Sequence, residues 1–289
     1  MNTERERRIV LLTGATDGLG RALAHELAAQ AYALILHGRD QAKLAALSAE
    51  LRAANPAAEI FAYRADFAAL TDVATLAQAV ATDFPRLDVL INNAGIGSGT
   101  GGKRRRLSLD GYELRFAVNY LAPFALTTRL LRLLRESASA RIVNVASIGQ
   151  TAIDFDDVML EHGYSGTRAY CQSKLAQIFF TFELAQRLSA QDMRNVSVNA
   201  LHPSSLMPTK IVFESFGYTL STLEQGVEAT LRLAVDPALE GVTGKYYDVL
   251  REARADAQAY DAAARRRLWD LSEALVAEPM MTRAAQSEL

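Results

Sequence analysis

The sequence predicts a single doubly wound α/β domain, with a mainly parallel sheet of about seven strands and helices on both faces. Short apolar runs alternate with longer segments of helical spacing along the chain. Within the apolar runs, polar and apolar residues rarely alternate, as expected for strands that are buried on both faces. Half of the 289 residues are hydrophobic, which suffices for a large core, and no linker, repeat or low-complexity segment divides the chain.

Seven apolar runs are predicted as strands, and seven amphipathic or Ala- and Leu-rich segments as helices. The strands are residues 8–13, 33–37, 59–64, 87–91, 141–146, 196–201 and 245–249. The helices are residues 19–30, 41–53, 71–84, 109–137, 168–190, 224–235 and 260–276. We expect a bend near Pro123 in the fourth helix, because proline lacks the N–H of a helical hydrogen bond.

Two long connections and a tail depart from the alternation. Residues 148–167 and 204–223 follow the predicted ends of two strands. Open α/β sheets bind ligands beyond the carboxyl ends of their strands, so both connections are expected beside a functional site. The core of the domain is predicted over residues 8–250. Residues 251–289 form a helical extension, whose apolar stripe is expected to pack on the domain.

Composition narrows the class of protein. The chain has 31 basic and 33 acidic side chains and a net charge of -2, which argues against a nucleic-acid or anionic-membrane partner. One cysteine, Cys171, cannot form an internal disulfide, and no apolar run approaches the ~20 residues of a membrane span. Without a signal-peptide pattern, we expect a cytoplasmic protein.

Two kinds of site are not expected. The four histidines are scattered, and neither H-E-x-x-H nor C-x-x-C spacing occurs, so no metal site is predicted. No G-x-S-x-G turn occurs, which argues against an α/β-hydrolase.

A glycine-rich turn joins the first predicted strand to the first helix. Gly14 permits a tight turn, Gly18 allows the backbone to approach a pyrophosphate, and Gly20 allows the helix to pack closely. The N-terminus of the helix then offers free N–H groups to phosphates. The turn therefore predicts a dinucleotide site.

The end of the second strand favours NADP(H) over NAD(H). Gly38 and Arg39 stand where an acidic residue would bind the ribose hydroxyls of NAD, and a guanidinium suits a 2′-phosphate. Lys43 adds a second positive charge one helical turn later. Asp40 is interpreted as the N-cap of the next helix, although its charge would partly offset that of Arg39.

Polar residues also follow the third and fourth predicted strands. Asp66 is a candidate acceptor for the adenine amino group, with a turn or helix cap as the alternative. In Asn92-Asn93-Ala94-Gly95, two amides can tie loop backbone together, and the small residues leave space for a ribose.

The motifs together resemble the short-chain dehydrogenase/reductase family. T-G-x-x-x-G-x-G, N-N-A-G, a serine after the fifth strand and Y-x-x-x-K occur in the family order between residues 8 and 248. The stretches 119–124 (NYLAPF) and 169–176 (AYCQSKLA) are similar to its retinol dehydrogenase-like branch. The resemblance implies a Rossmann-like fold, a nicotinamide cofactor and a dimer or tetramer.

Tyr170 and Lys174 form the predicted reactive pair. A tyrosine hydroxyl can give a proton to a carbonyl oxygen, but its ordinary pKa of ~10 is too high for easy exchange near neutrality. Lys174 is four residues later on the same helix face, so its ammonium is expected to lower the pKa of Tyr170. Tyr170 would then be the acid for reduction and the base for oxidation.

The resemblance assigns supporting roles to further residues. It implies that Ser147 binds the substrate oxygen, that Asn119 holds a water in a proton relay, and that Lys174 also binds the nicotinamide ribose. The implied cofactor contacts are Gly14, Thr16, Asp17, Gly18, Leu19, Gly20, Arg39, Lys43, Asp66, Phe67, Asn93, Ala94, Gly95, Tyr170, Lys174 and Pro203.

Three departures from the family pattern bear on specificity. The interval from Ser147 to Tyr170 is long, and its insertion is expected over the substrate side. Ser204 replaces the usual glycine after Pro203, which leaves the role of Thr209 open. Asp17 stands where several NADP-using relatives carry a basic residue.

The substrate itself is left open. Phe155, Tyr164, Phe213 and Phe216 indicate either an apolar pocket for a lipophilic carbonyl or alcohol, or packing within loops. The basic run at residues 103–106 is interpreted as a solvated loop, with an anionic substrate as the alternative. Two other functions also stay open: a non-catalytic nucleotide-binding regulator on the same fold, and an NAD-preferring alcohol dehydrogenase.

Overall fold

The computed structural model describes residues 7–30, 32–99, 104–215 and 217–287, with side chains as far as residue 277. Its strands are β1 Ile9–Leu12, β2 Ala33–Gly38, β3 Glu59–Arg64, β4 Val89–Asn92, β5 Ala140–Val145, β6 Val196–His202, β7 Lys245–Asp248 and β8 Arg251–Glu252. Its α-helices are α1 Gly18–Ala29, α2 Gln41–Ala54, α3 Leu70–Asp83, α4 Ala122–Arg135, α5 Gly166–Ala190, α6 Lys210–Ser215, α7 Leu223–Val235 and α8 Ala262–Ser287.

The strands form one sheet in the order β3-β2-β1-β4-β5-β6-β7-β8. Every neighbouring pair is parallel except β7 and β8. The predicted doubly wound sheet is thus confirmed. The order reverses between β1 and β4, so the carboxyl ends of these strands border the crevice where such sheets bind ligands. The two-residue β8, which pairs with β7, escaped prediction because it is too short to show a pattern.

The core lies on both faces of the sheet. All residues of β1, β2, β4, β5 and β6 are buried. One face packs against α3, α4, α5 and α8, and the other against α1, α2 and α7. Burial on both faces explains why these strands read as continuous apolar runs.

The fourth helix differs from its prediction at its start. Residues 109–113 form a turn around Gly111, whose φ is +85°, and helical structure begins only at Leu114. Residues Phe116–Leu121 then make a π-helical segment, which leads into α4. Pro123 follows this segment and has no N–H to offer the carbonyl of Asn119 four residues earlier, which favours the wider helical turn before it.

The two long connections, residues 148–167 and 204–223, contain secondary structure or buried side chains. The short helix α6 lies within residues 204–223, where no helix was predicted. The insertion at 148–167 buries Ile153 and Leu160, and its backbone binds Gln258: the Ile153 N–H donates to Gln258 Oε1 over 2.6 Å.

Helix α8 packs on the domain through four residues of the predicted apolar stripe and through Trp269: Leu268 is buried, and Ala264, Leu271 and Leu275 pack against the core, whereas Tyr260 precedes the helix and is exposed. Trp269 meets the rings of Phe124 and Phe180, at centroid distances of 5.0 and 5.9 Å, and the guanidinium of Arg187 lies 4.2 Å from its ring. The helix begins at Ala262, because Asp261 caps it by accepting from the N–H groups of Ala263 and Ala264. Residues 257–260 form a separate 3-10 turn.

Candidate active site

The glycine turn is built so closely that side chains would not fit at two of its glycines. A Cβ on Gly20 would stand 2.0 Å from the carbonyl oxygen of Gly14, and a Cβ on Gly14 would stand 2.7 Å from the Cα of Ala94. Gly14 and Gly18 also have φ angles of +66° and +49°. The turn therefore brings the start of α1 against the loop after β4, as a close-packed dinucleotide cradle requires.

Asn93 and Thr13 hold the loop after β4 to this turn. The Nδ2 of Asn93 donates to the carbonyls of Thr13 and Gly14 over 2.9 and 3.1 Å. The hydroxyl of Thr13 accepts from the N–H groups of Asn93 and Ala94 over 2.9 and 3.0 Å. The predicted tie between loops is thus present, and it uses the side chain of Asn93.

His37, which no motif singled out, is a further support of the turn. Its Nδ1 accepts from the Gly14 N–H at 3.3 Å, and its Nε2 lies 3.1 Å from the carbonyl oxygen of Ala65. Phe67 stacks on its ring with a centroid distance of 4.2 Å. Burial lowers the pKa of His37 to about 4, so the ring is neutral at pH 7 and its Nε2 carries the donated hydrogen.

The acidic residues near Arg39 are engaged with backbone or with Lys43. Asp40 accepts from the N–H groups of Ala42 and Lys43 over 3.0 and 3.1 Å, which confirms its predicted role as an N-cap. Asp17 caps α1 through the Gly18 N–H, and its other oxygen lies 4.0 Å from the Lys43 Nζ. Arg39 itself is exposed. Arg39 therefore presents an exposed guanidinium, while the carboxylates of Asp40 and Asp17 bind backbone N–H groups and Asp17 also lies near Lys43.

Gly38 and Asp66 complete this side of the crevice. A Cβ on Gly38 would stand 2.8 Å from Cγ2 of Thr16, so glycine is what fits against the turn. Asp66 accepts from the Ala68 N–H over 2.9 Å, which is the turn role given as its alternative. Leu19 and Phe67 are both buried, and Phe67 contributes its ring to the stack on His37.

Tyr170 and Lys174 lie near the start of α5, where Ser165 caps the helix. The Nζ of Lys174 is 5.8 Å from the centroid of the Tyr170 ring. It donates to the carbonyl of Val145 over 2.8 Å and to Oε1 of Gln177 over 2.9 Å. Burial lowers the pKa of Lys174 to about 7, so this side chain can exchange its proton near neutrality.

The pKa of Tyr170 moves in the opposite direction to the prediction. Burial raises it, and the hydrogen bond with Ser147 only partly opposes that effect. The predicted lowering by Lys174 does not appear, because desolvation dominates the pKa of Tyr170 and Lys174 is not among the groups that shift it.

Ser147 follows β5 and is held firmly in place. Its hydroxyl accepts from the Gly149 N–H over 3.0 Å, and its carbonyl accepts from Gln150 Nε2 and the Tyr246 hydroxyl over 3.0 and 3.1 Å. A Cβ on Gly149 would stand 3.5 Å from Oγ of Ser147 and 3.9 Å from Cε1 of Tyr170. Gln150 and Tyr246 carry no sequence signal, since they meet Ser147 only through the fold.

Asn119 lies in the π-helical segment and is completely buried. Its Oδ1 accepts from the Ile96 N–H over 2.8 Å, and its Nδ2 donates to the Ile96 carbonyl and to Oγ of Ser173, both over 3.0 Å. Ser173 in turn donates to the Tyr170 carbonyl over 2.7 Å. The amide of Asn119 thus joins the loop after β4 to the helix of the reactive pair.

The insertion is tied down by a buried polar cluster. Tyr164 donates to Oε1 of Glu113 over 3.0 Å and lies 2.6 Å from NH1 of Arg115. Arg115 also donates through Nε to the carbonyl of Gly97 over 2.9 Å. Phe155 packs against the core and the Arg267 guanidinium. Tyr164 and Phe155 therefore anchor the insertion.

The other residues that were predicted on the substrate side differ in their exposure and position. Phe213 is exposed, whereas Phe216 and Lys103 lie outside the described residues. Pro203 is buried after β6. The side chain of Thr209 lies over Gly18, since a Cβ on Gly18 would stand 3.1 Å from its Cγ2. The connection after β6 therefore reaches back to the glycine turn.

Over the part of the chain that the structure describes, no helix combines the length and the apolarity needed to cross a bilayer. Within the same ranges, no three of the His, Cys, Asp and Glu side chains converge as a metal site would need.

Known proteins resemble this chain in sequence. A family model described as short chain dehydrogenase matches residues 8–215. Human retinol dehydrogenase 14 is 36% identical over 296 residues, covering 93% of this chain and 86% of that protein. Human retinol dehydrogenase 13 is 35% identical over 286 residues, covering 93% of this chain and 84% of that protein.

Solved structures resemble it in fold. A protein from Mycobacterium paratuberculosis superposes with a TM-score of 0.76 at 30% identity, covering 94% of this chain and 93% of that one. A short chain dehydrogenase from Shigella flexneri, complexed with NADP, gives 0.69 at 25% identity, covering 84% of this chain and 97% of that one. The chain therefore belongs to the short-chain dehydrogenase family, in its retinol dehydrogenase-like branch, and is an oxidoreductase of alcohol and carbonyl groups.

Proposed function

We propose that this protein is an NADP(H)-dependent oxidoreductase that interconverts a lipophilic carbonyl compound and its alcohol, with Tyr170 as the general acid and base. The observation that carries the proposal is the arrangement at the start of α5. The Tyr170 hydroxyl is hydrogen-bonded to Ser147, and the buried Lys174 lies 5.8 Å from its ring centroid. Lys174 lies beside the loop after β4, since a Cβ on Gly95 would stand 3.8 Å from its Nζ, and that loop packs on the glycine turn.

The residues of the crevice fit a nicotinamide dinucleotide. Glycine at positions 14, 20 and 38 allows close packing around the turn that a Cβ would prevent, as a dinucleotide-binding turn requires. The N-terminus of α1 faces this space and favours phosphate. When bound, the cofactor supplies or accepts a hydride at its nicotinamide.

Arg39 supports NADP(H) rather than NAD(H). It is exposed at the end of β2, and the neighbouring carboxylates of Asp40 and Asp17 are held by helix N-termini. A guanidinium can bind a 2′-phosphate through two parallel hydrogen bonds. Lys43 adds charge at the same rim. The Shigella flexneri relative was solved with NADP, which agrees with this assignment.

The side chains of the reactive centre divide the proton chemistry. Tyr170 donates its hydroxyl proton to the oxygen of a carbonyl substrate in reduction, and removes the alcohol proton in oxidation. Ser147 donates a hydrogen bond to the same substrate oxygen. Lys174, whose pKa of about 7 permits exchange near neutrality, stabilises the tyrosinate and returns its proton. Asn119 holds the loop and helix that frame this path.

The mouth of the site supports a lipophilic substrate. Ile148, on the connection after β5, is 58% exposed, and Phe213, on the connection after β6, is 54% exposed. Apolar side chains left in solvent on two ligand-side connections favour an apolar ligand. The retinol dehydrogenase names of the relatives agree with this choice.

The test is NADPH oxidation with a panel of carbonyl compounds that includes retinal, medium-chain aldehydes and small polar ketones. We expect turnover with the apolar members and a loss of at least about 100-fold in Tyr170→Phe, the scale of general acid catalysis. Tyr32→Phe, remote from the site at the start of β2, is the matched control. Equal rates in Tyr170→Phe and wild type would exclude the proton-donor role. Tight NADPH binding without turnover of any compound would favour a nucleotide-binding regulator instead.

A further inference from the structure

Gln177 is the buried partner of the reactive lysine. It lies on α5 one turn beyond Lys174, is 1% exposed, and receives a hydrogen bond from the Lys174 Nζ at its Oε1. The other acceptor of this ammonium is the carbonyl of Val145 at the end of β5. The Gln177 amide oxygen and the Val145 carbonyl thus bind two of the three N–H groups of the Lys174 ammonium.

The open side of Lys174 faces the reactive centre. A Cβ placed on Gly95 would stand 3.8 Å from the Nζ and 3.2 Å from Oδ1 of Asn119, so the third N–H direction opens beside the loop after β4. An ammonium has three donors, and two of them are bound on the far side. Gln177 and the Val145 carbonyl therefore aim the remaining donor into the crevice.

Few titratable groups compete for this ammonium. From α5 itself, Tyr170 faces it, and from the end of β6, His202 interacts with it electrostatically. Asp248 on β7 acts on His202 rather than directly on Lys174. The Val145 carbonyl of β5 and Gly95 in the loop after β4, which lie beside Lys174, contribute neutral groups.

The orientation of the Gln177 amide costs free energy, because it buries an N–H group without a hydrogen-bond partner, and a purely structural role does not explain that cost. Because an ammonium only donates, Gln177 must present its Oε1 to Lys174, and its Nε2 is then buried without a partner among the described residues. A leucine of similar volume would avoid that desolvation cost in the core. The amide is therefore best explained by what its oxygen does for Lys174.

We propose that Gln177 is a positioning residue, whose amide oxygen keeps the Lys174 ammonium charged and aimed at the site. The assignment rests on the proposed function of Lys174. A neutral acceptor stabilises the ammonium without forming an ion pair, so the lysine still exchanges its proton near neutral pH. Removing the oxygen should lower the pKa of Lys174, and replacing the amide by a carboxylate should raise it.

The experiment is an NMR titration of Lys174 in protein labelled with 13C-lysine, with its signal assigned through Lys174→Met. The chain has few other lysines to resolve: Lys43, Lys103, Lys210 and Lys245. We expect the midpoint to fall by about one pH unit in Gln177→Leu and to rise by about one unit in Gln177→Glu. The high-pH limb of kcat/KM should move in the same two directions.

Gln172→Leu is the matched control. Gln172 is the same residue type on the same helix and is equally buried, but it bonds to Asp154 and Val158 in the insertion. Its removal should leave the Lys174 midpoint unchanged. If Gln177→Leu does not fold, Gln177→Asn, which withdraws the amide oxygen, should also lower the midpoint.

An unchanged Lys174 midpoint in both the Glu variant and the Leu or Asn variant would overturn the role of Gln177. A shift of equal size in Gln172→Leu would overturn it as well. The titration needs no substrate. Absence of turnover in the wild type would therefore refute the proposed function, while the midpoints still decide about Gln177.

Discussion

The two halves of the site each contain a buried base, and burial leads the two bases to different uses. His37, behind the glycine turn, has a pKa of about 4, whereas Lys174 on α5 has a pKa of about 7. Desolvation lowers both, but histidine starts at 6.5 and lysine at 10.5. Histidine is thereby held neutral at pH 7 and serves as a fixed support for backbone. Lysine is brought into the range where it can exchange a proton.

The polar side chains around His37 and around Lys174 differ in the same way, with support of the backbone in one half and titratable groups in the other. In the cofactor half, the side chains of Asp17 and Asp40 accept from backbone N–H groups of the helices that they cap, and Asn93 donates to a backbone carbonyl of the glycine turn. In the reactive half, Lys174 is buried and Tyr170 is half-buried, and desolvation shifts the pKa of each toward its neutral form. The first half gains rigidity from its polar groups. The second accepts the cost of burying two titratable groups, as reactive sites commonly do.

The largest effect is expected from Lys174→Met, which removes the titrating base. Activity should fall by about 1,000-fold, because the proton path and the stabilisation of tyrosinate are lost together. The free energy of unfolding at pH 7.5 should rise by up to about 4 kcal/mol, because a buried base no longer has to give up its proton on folding. Denaturant unfolding and NADPH oxidation provide the two measurements.

The sign of this stability change can be followed with pH. Between pH 7 and 10 the unfolded chain binds a proton on Lys174 that the folded chain lacks, so wild-type stability increases with pH and the advantage of the variant should shrink. Lys245→Met, which removes a half-exposed lysine paired with Glu252, should show neither effect. A Lys174→Met protein less stable than wild type would contradict the cost assigned to this burial.

A smaller effect is expected at the cofactor rim. Arg39→Ala should raise the KM for NADPH by about 10- to 100-fold, the equivalent of one charge-assisted contact, and leave the KM for NADH nearly unchanged. Asp40→Asn keeps the helix-cap acceptor and removes the charge, so its KM for NADPH should change by less than about threefold. Steady-state kinetics with both cofactors provide the measurement. A preference for NADH in wild type would exclude the NADP(H) assignment.

The smallest effect is expected from acid titration of His37. Its pKa falls from 6.5 in the unfolded chain to about 4 in the folded protein, so the stability that it contributes is complete above pH 6.5 and is lost as the pH falls toward 4. His37→Leu removes this dependence. The stability advantage of wild type over the variant should therefore shrink by about 2 kcal/mol between pH 7.5 and pH 5. A constant difference across that range would mean that the pKa of His37 is the same in the folded protein as in the unfolded chain.

Much of the fold and of the site could be predicted, because both follow from local patterns. The parallel strands read as apolar runs, and the glycine turn and Tyr170-x-x-x-Lys174 are short motifs at strand ends and on one helix face. The predicted start of the fourth helix was wrong, because residues 109–113 form a turn around Gly111 although their apolar spacing is helical. His37, Gln150 and Tyr246 were missed, since each meets its partner through long-range packing.

The direction of a pKa shift was the least predictable property. Helix spacing placed Lys174 beside Tyr170, and the charge of the lysine alone would lower the pKa of the hydroxyl. Burial raises it instead, and burial depends on how α5, the insertion and β5 pack together.

The sequence by itself determined the order of strands and helices, the close glycine turn, the guanidinium at the end of β2 and the Tyr170–Lys174 pair. All of these depend on residues close together in the chain. Only the tertiary structure decided how the pair is charged, because desolvation and hydrogen bonding come from residues distant in sequence. The backbone carbonyl of Val145 at the end of β5 and the side chain of Ser147 after it reach the pair only after folding. The motif names the proposed reactive groups, and the packing around Lys174 sets the pH range in which this lysine can exchange its proton.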